Sequence, residues 1–171
     1  QILKFPEVNA IEKEKVRKQL FEIKQKIQSG EASFEEMARQ HSEDLGSASK
    51  GGCYGFKSRG EFVPEYEGAI FNLKAGEISD PIETEFGYHI IKLIERRGET
   101  YQSCHILMSP KPTENDITNA EQFLDSLRTV LLSDSSSLNF AKAAHEYSDD
   151  KASKTGGGRF TSADGTPLIS A

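Results

Sequence analysis

The apolar residues of this chain change period several times, and each change marks an element. Gln1-Ile2-Leu3-Lys4-Phe5 reads as an extended run that stops at Pro6. Val16, Leu20, Ile23 and Ile27 then recur at helical spacing with charges between them, up to Gly30. That pattern predicts an amphipathic helix closed by a glycine. Ser33 with Glu36 three positions on is a capping box for a second helix, with Phe34, Met37 and Ala38 on its inner face. Residues 42–56, S-E-D-L-G-S-A-S-K-G-G-C-Y-G-F, form a glycine-shaped loop leading into a short strand around Tyr54 and Phe56. Pro64 suits the first position of a third helix, continued on one side by Tyr66, Ile70 and Phe71. After a turn at Gly76, residues 78–82 are extended but interrupted by Pro81. Residues 88–95, Y-H-I-I-K-L-I-E, are apolar on both alternating faces, which predicts a central strand covered on both sides. The order strand, helix, helix, strand, helix, strand, strand describes a small sheet with helices packed on it, an α/β or α+β domain.

The chain then begins again. Gln1-Ile-Leu-Lys-Phe-Pro6 is echoed by His105-Ile-Leu-Met-Ser-Pro110. Phe34, Ala38, Ser42 and Asp44 are echoed at one constant offset by Phe140, Ala144, Ser148 and Asp150. Ile117, Ala120, Leu124, Leu127 and Leu131 supply a helix between them. The loop itself returns as S-D-D-K-A-S-K-T-G-G-G-R-F over residues 148–160. This is an internal repeat of one domain. The expected boundaries are residues 1–98 for the first copy and 99–171 for the second. The second copy has no counterpart of the residue 62–71 segment or of the 88–95 strand. The expectation is therefore an excised fragment that continues past Ala171, with a second half partly disordered or held by contacts the linear sequence does not reveal.

Composition narrows the function classes. The chain is 36% hydrophobic and 28% charged, with net charge −6, and neither half is basic. That argues against nucleic acid as a partner. No apolar run approaches the ~20 residues of a membrane-spanning helix, and the chain opens without a signal-peptide pattern. The two cysteines, Cys53 and Cys104, make no metal-binding pattern and are expected to be unpaired. Cys104 is expected to be a buried small residue of its strand.

With the repeat in hand, F-E-E-M-A-R-Q-H-S-E-D, G-S-A-S-K-G-G-C-Y-G-F, F-V-P-E-Y-E-G-A-I-F, G-E-I-S-D-P-I and F-G-Y-H-I-I-K-L follow one another over almost all of residues 1–98. In this order they resemble the parvulin family of peptidyl-prolyl cis-trans isomerases. The resemblance implies an α+β parvulin (FKBP-like) fold followed by a second, incomplete copy. Tandem copies resemble the periplasmic chaperone-isomerases of the SurA type. That likeness implies a role in the envelope of Gram-negative bacteria, acting on unfolded, proline-containing polypeptides, outer-membrane proteins among them. No cofactor, metal, nucleic-acid partner or membrane insertion is implied.

Rotation about an X-Pro bond makes and breaks no covalent bond. An apolar cup that favours the twisted amide, which has lost its resonance, is the main requirement. By resemblance the cup of the first copy is Tyr54, Phe62 and Tyr66. Its polar floor is His89, Asp44 and Thr84. The family's second histidine belongs on the first strand, where this chain has Gln1, a residue that hydrogen-bonds but carries no charge. In the second copy the corresponding positions are His105 and Asp150. The residues alone also allow a plainer reading. His89 shares its strand face with Ile91 and Leu93, as a core histidine would, and Asp44 has the look of a turn aspartate bonded to its own loop. A module that grips peptides in the same cup without catalysing rotation is the alternative function.

Overall fold

A computed structural model describes residues 1–133 and 138–160. The chain divides into two compact units, Ala10–Lys111 and the pair of segments Gln1–Asn9 and Pro112–Ala171.

In the first unit, α1 (Ala10–Gln28) is followed by α2 (Phe34–His41). The chain leaves α1 through Gly30 at φ +78°, a left-handed conformation that glycine adopts without a side-chain penalty. Ser33 caps α2 as its spacing predicts: Glu36 N–H donates to Ser33 Oγ, and Ser33 N–H donates back to Glu36 Oε2. A four-stranded antiparallel sheet has the order β1-β4-β3-β2, where β1 is Lys57–Ser58, β2 Ile82–Thr84, β3 Gly87–Arg97 and β4 Thr100–Met108. Helix α3 (Pro64–Asn72) starts with proline at its first turn.

Alternation along β3 and β4 divides the core into two layers. Tyr88, Ile90, Cys104 and Ile106 pack with Val16, Leu20, Phe34 and Ala38 of α1 and α2. Ile91, Leu93 and Tyr101 face the other way and pack with Tyr66 and Ile70 of α3. The strand at residues 88–95 is central and buried on both sides, as its continuous apolar run requires.

Several expectations change. The strand expected at Tyr54 and Phe56 lies slightly later, at Lys57–Ser58, and Cys53 makes an isolated bridge to Cys104. Phe71 is not buried with Tyr66 and Ile70 but 37% exposed, and the Arg59 and Arg96 guanidinium groups lie over its ring, 5.1 and 5.2 Å from the centroid. The two cysteines are not free: they form a disulfide between the loop and β4. Linear spacing gave no sign of this pairing, because the cysteines meet only once β4 has joined the sheet.

The compact unit also differs from residues 1–98. It gains β4 and gives up residues 1–9. Arg97 pairs with Thr100, so only Gly98 (φ +57°) and Glu99 separate two long antiparallel strands. So short a turn makes β4 the nearest available partner for β3, and closing it costs far less chain entropy than bringing back a segment from residue 1.

The second unit contains α4 (Glu114–Leu131), α5 (Phe140–Tyr147) and α6 (Lys151–Lys154). Thr113, Asn139 and Asp150 cap them with side-chain oxygens. Residues 1–5 lie along this unit: Leu3 N–H donates to Ser148 Oγ at 3.1 Å, and Asp149 N–H donates to Leu3 O at 2.7 Å. The described part of the second copy is thus held by contacts that its own stretch of sequence does not contain.

Candidate functional site

The cleft of the first unit is assembled on one face of β4. Tyr101, Ser103 and His105 alternate onto the α3 side, and each holds a different part of the wall. Tyr101 Oη donates to Glu67 Oε1 at 2.8 Å, and the same carboxylate oxygen accepts from Gly60 N–H at 2.7 Å. It therefore pins the loop that carries Phe62. Ser103 Oγ and Tyr66 Oη are hydrogen-bonded at 3.2 Å. His105 Nε2 donates to Asp44 Oδ2 at 2.8 Å.

Aromatic rings form the cup. Phe62 stacks on Tyr66 with centroids 4.5 Å apart and meets the edge of Tyr54 at 5.5 Å. Tyr66 is buried and lies edge-on to both His89 and His105. The resulting cleft has a volume of about 370 Å³ and is lined by the three aromatics, both histidines and Asp44, with Phe86 and Leu107 at its margin.

Beneath the rings runs a chain of hydrogen bonds. Thr84 Oγ1 and His89 Nε2 are 2.8 Å apart, and the Nδ1 atoms of His89 and His105 are 3.3 Å apart. Asp44 Oδ2 also accepts from Tyr54 Oη at 2.6 Å and from Ser47 Oγ, while Oδ1 accepts from Gly46 N–H. Burial pushes the Asp44 carboxyl up, but bonds from Ser47, Tyr54, His105 and Gly46 outweigh it and hold the group well below the usual carboxylate range. Burial, together with the neighbouring His105, lowers His89 to about 4. Burial also lowers His105, against the opposing pull of Asp44. Tyr54 is pushed up to about 12 by burial and by its bond to the carboxylate.

Two neutral histidines beside an ionised Asp44 leave one consistent proton arrangement. His105 must carry its proton on Nε2 to donate to the carboxylate, so its Nδ1 accepts. His89 then donates from Nδ1, and its Nε2 accepts from the Thr84 hydroxyl. The floor is thus a directed hydrogen-bond chain from Thr84 to Asp44, roofed by apolar rings.

Of the residues singled out in the sequence, Asp44, Tyr54, Phe62, Tyr66, Thr84, His89 and His105 meet in this one cleft. Gln1 and Asp150 do not; they pair with each other in the second unit, Gln1 Nε2 donating to Asp150 Oδ2 at 3.0 Å. The expected partners are therefore exchanged: His105 stands where Gln1 is expected in the first copy, and Gln1 stands where His105 is expected in the second.

The local frames are equivalent. His105 N–H donates to Gly52 O, Leu107 N–H to Ser42 Oγ and Glu43 N–H to Leu107 O. In the other unit the Gln1 amino group donates to Gly158 O, Leu3 N–H to Ser148 Oγ and Asp149 N–H to Leu3 O. Gly52 (φ +78°) and Gly158 (φ +80°) lie so close to the carbonyls of His105 and Gln1 that a Cβ would collide with them. The second glycine of each pair admits the incoming segment, β4 in one unit and residues 1–5 in the other, while the first, Gly51 or Gly157, lies against Glu35 of α2 or Ala141 of α5.

Ser47, Ser103 and Glu67 were missed by reading the sequence. A signal for Ser47 existed: Ser153 repeats it, and both hydroxyls donate to the aspartate three residues earlier. Ser103 and Glu67 carry no such repeat, and their roles arise only from packing. Among the described residues no group of three or more His, Cys, Asp or Glu side chains is arranged to hold a metal ion.

The family model described as Rotamase, PPIC-type PPIASE domain, matches residues 2–95 and again 105–168. The chain belongs to this family of peptidyl-prolyl isomerase domains. The unit built in space joins the body of the first match to the leading strand of the second.

Among curated proteins, the chain is 49% identical over 81 residues to the chaperone SurA of Burkholderia pseudomallei, a match covering 47% of this chain and 18% of that protein. It is 51% identical over 76 residues to the foldase protein PrsA 2 of Bacillus anthracis, covering 44% of this chain and 26% of the relative. The matched stretch thus spans about a fifth to a quarter of these relatives. A crystal structure of the peptidylprolyl isomerase PrsA from Bacillus anthracis aligns at 34% identity and TM-score 0.41, covering 66% of this chain and 46% of that one.

Proposed function

We propose that the unit Ala10–Lys111 is a peptidyl-prolyl cis-trans isomerase that also holds unfolded polypeptide, with the cleft over His89, His105 and Asp44 as its site. The observation that carries this reading is the convergence of Tyr54, Phe62 and Tyr66 above the Thr84–His89–His105–Asp44 chain. An X-Pro bond rotates over a barrier of about 20 kcal/mol in tens of seconds unaided. The cup takes the proline ring by apolar burial and excludes water from the amide. The twisted amide has lost resonance, so its nitrogen is more basic and its carbonyl less polar than in the planar state. An aromatic cup suits that less polar carbonyl, the neutral histidines add no positive charge beneath it, and the Asp44 charge is held in hydrogen bonds from Ser47, Tyr54, His105 and Gly46. Catalysis then follows from binding the twisted state better than either planar isomer.

The family match and the chaperone and foldase relatives support unfolded, proline-containing chains as substrates. The Cys53–Cys104 disulfide supports an oxidising compartment, the cell envelope, with the Gram-negative periplasm and its outer-membrane proteins as the specific case. In the second copy Gln1 bonded to Asp150 favours a peptide-binding role without catalysis.

The test is acceleration of cis-to-trans conversion in a proline-containing peptide by the full chain. Catalysis abolished by His105→Gln with His89→Ala supports the reading. No acceleration by the intact chain, with peptide still bound in the cleft, would leave only the binding function.

A further inference from the structure

The disulfide is outside the set of groups that face a peptide, yet it lies between two of them. Cys53 directly precedes Tyr54, and Cys104 directly precedes His105. The cysteines face each other across the loop and β4 with Cα atoms 3.9 Å apart. Backbone bonds flank them on both sides: Tyr54 N–H donates to Ser103 O at 3.1 Å, and His105 N–H donates to Gly52 O at 2.8 Å. The residues next to the cysteines meet again at the floor, where Tyr54 Oη and His105 Nε2 both donate to Asp44 Oδ2. Backbone pairing, disulfide and shared carboxylate close a small ring of constraints around two functional side chains. The second copy has Arg159 at the position of Cys53 and Phe160 at that of Tyr54, and there Gln1 stands in place of the histidine. The covalent link and the full set of polar donors occur in the same copy.

We propose that the Cys53–Cys104 disulfide is a positioning element of the peptide site, holding Tyr54 and His105 on their common acceptor Asp44, so that a dithiol reductant weakens the site. The proposal rests on reading the cleft as a peptide site. In the step itself, the dithiol supplies two electrons and two protons. The Cys53–Cys104 bond breaks to give two thiols, and the reductant's own sulfurs join as a disulfide. Two thiols need more room than the two sulfurs of a disulfide. Cys104 is fully buried against the α1 and α2 layer and has none to yield, whereas Cys53 is only partly buried. Cys53 therefore moves, and Tyr54 moves with it, away from Asp44. A displacement of this kind at a site that works by geometry costs activity out of proportion to its size.

The experiment compares the oxidised full chain, the same chain after dithiothreitol, and the Cys53→Ala/Cys104→Ala variant, which removes the link without adding bulk. Circular dichroism is used to choose a temperature at which all three are folded. Peptide KM and kcat are read alongside the ring NMR signals of His105 and the hydroxyl environment of Tyr54. The expected result is a KM raised roughly tenfold in both unlinked forms, with shifted Tyr54 and His105 signals and a smaller change in kcat. A disulfide that merely adds stability would move the melting temperature alone. Unchanged KM and unchanged His105 and Tyr54 signals in the folded, reduced protein would overturn the proposal. If the oxidised chain shows no isomerase activity, the functional reading fails separately, while the NMR comparison still decides the positioning role.

Discussion

Asp44 and His105 lie 61 positions apart in the chain, and Oδ2 of the first accepts a hydrogen bond from Nε2 of the second at 2.8 Å. The aspartate belongs to the first repeat and the histidine opens the second. The cleft exists because β4, the leading strand of one repeat, is built into the sheet of the other.

His105→Gln would turn this floor into a likeness of the Gln1–Asp150 pair. It keeps a donor to the carboxylate, as Gln1 is to Asp150, but removes the imidazole that links Asp44 to His89, a hydrogen bond worth about 1.5 kcal/mol. kcat/KM for a proline peptide is expected to fall roughly tenfold or more in step with that loss. Gln1→His is expected to leave the rate unchanged, because Gln1 bonds to Asp150 and not to Asp44. A marked gain in rate from Gln1→His would mean that residue 1 reaches the first site.

Phe62→Ala removes the ring stacked on Tyr66 and opens the cup. Loss of one aromatic contact surface of about 1.5 kcal/mol predicts a clear rise in peptide Kd, measured by fluorescence titration. Unchanged peptide affinity would argue against the aromatic cup in both the catalytic and the binding readings.

Gly52→Ala forces a side chain into a left-handed conformation and against the His105 carbonyl. A loss of about 1–3 kcal/mol from backbone strain alone is expected, with the collision adding to it. Gly60→Ala is the control: its φ of +88° is equally unsuited to alanine, but nothing lies within 4 Å of the added Cβ. Urea denaturation should rank Gly52→Ala as the more damaging of the two.

The histidines predict acid lability with a definite sign. His89 has an ordinary value of 6.5 and is lowered to about 4 in the fold, chiefly by burial. Between these values the unfolded chain binds the extra proton and the folded one does not, so stability falls as pH falls through that window. The loss attributable to His89 is about 3 kcal/mol when complete, and His105 acts in the same direction. Asp44, held low, adds its own loss only below the ordinary range of an aspartate. Chemical denaturation at pH 7, 5.5 and 4 tests this, and His89→Phe should flatten the slope between pH 6.5 and 4.

Local sequence determined most of the individual parts. Helix starts at Ser33 and Pro64, the glycine exit at Gly30 and the doubly covered strand at residues 88–95 all follow from near-neighbour chemistry that is the same in any fold. The repeat and the family resemblance supplied the aromatic trio, His89, Asp44 and Thr84. What they left undecided was which strand lies beside Asp44. Gln1-Ile-Leu and His105-Ile-Leu carry the same apolar pattern and meet equivalent glycines and serines, so either matches either loop as text. Pairing between distant segments depends on turn length and loop closure, and the two-residue turn at Gly98 and Glu99 puts His105 in the first site. The disulfide follows from the same choice, because Cys104 reaches Cys53 only on that strand. The sequence named seven residues that meet in the cleft but not Ser47, Ser103 or Glu67, which hold its floor and wall; which segments come together there was decided by the fold.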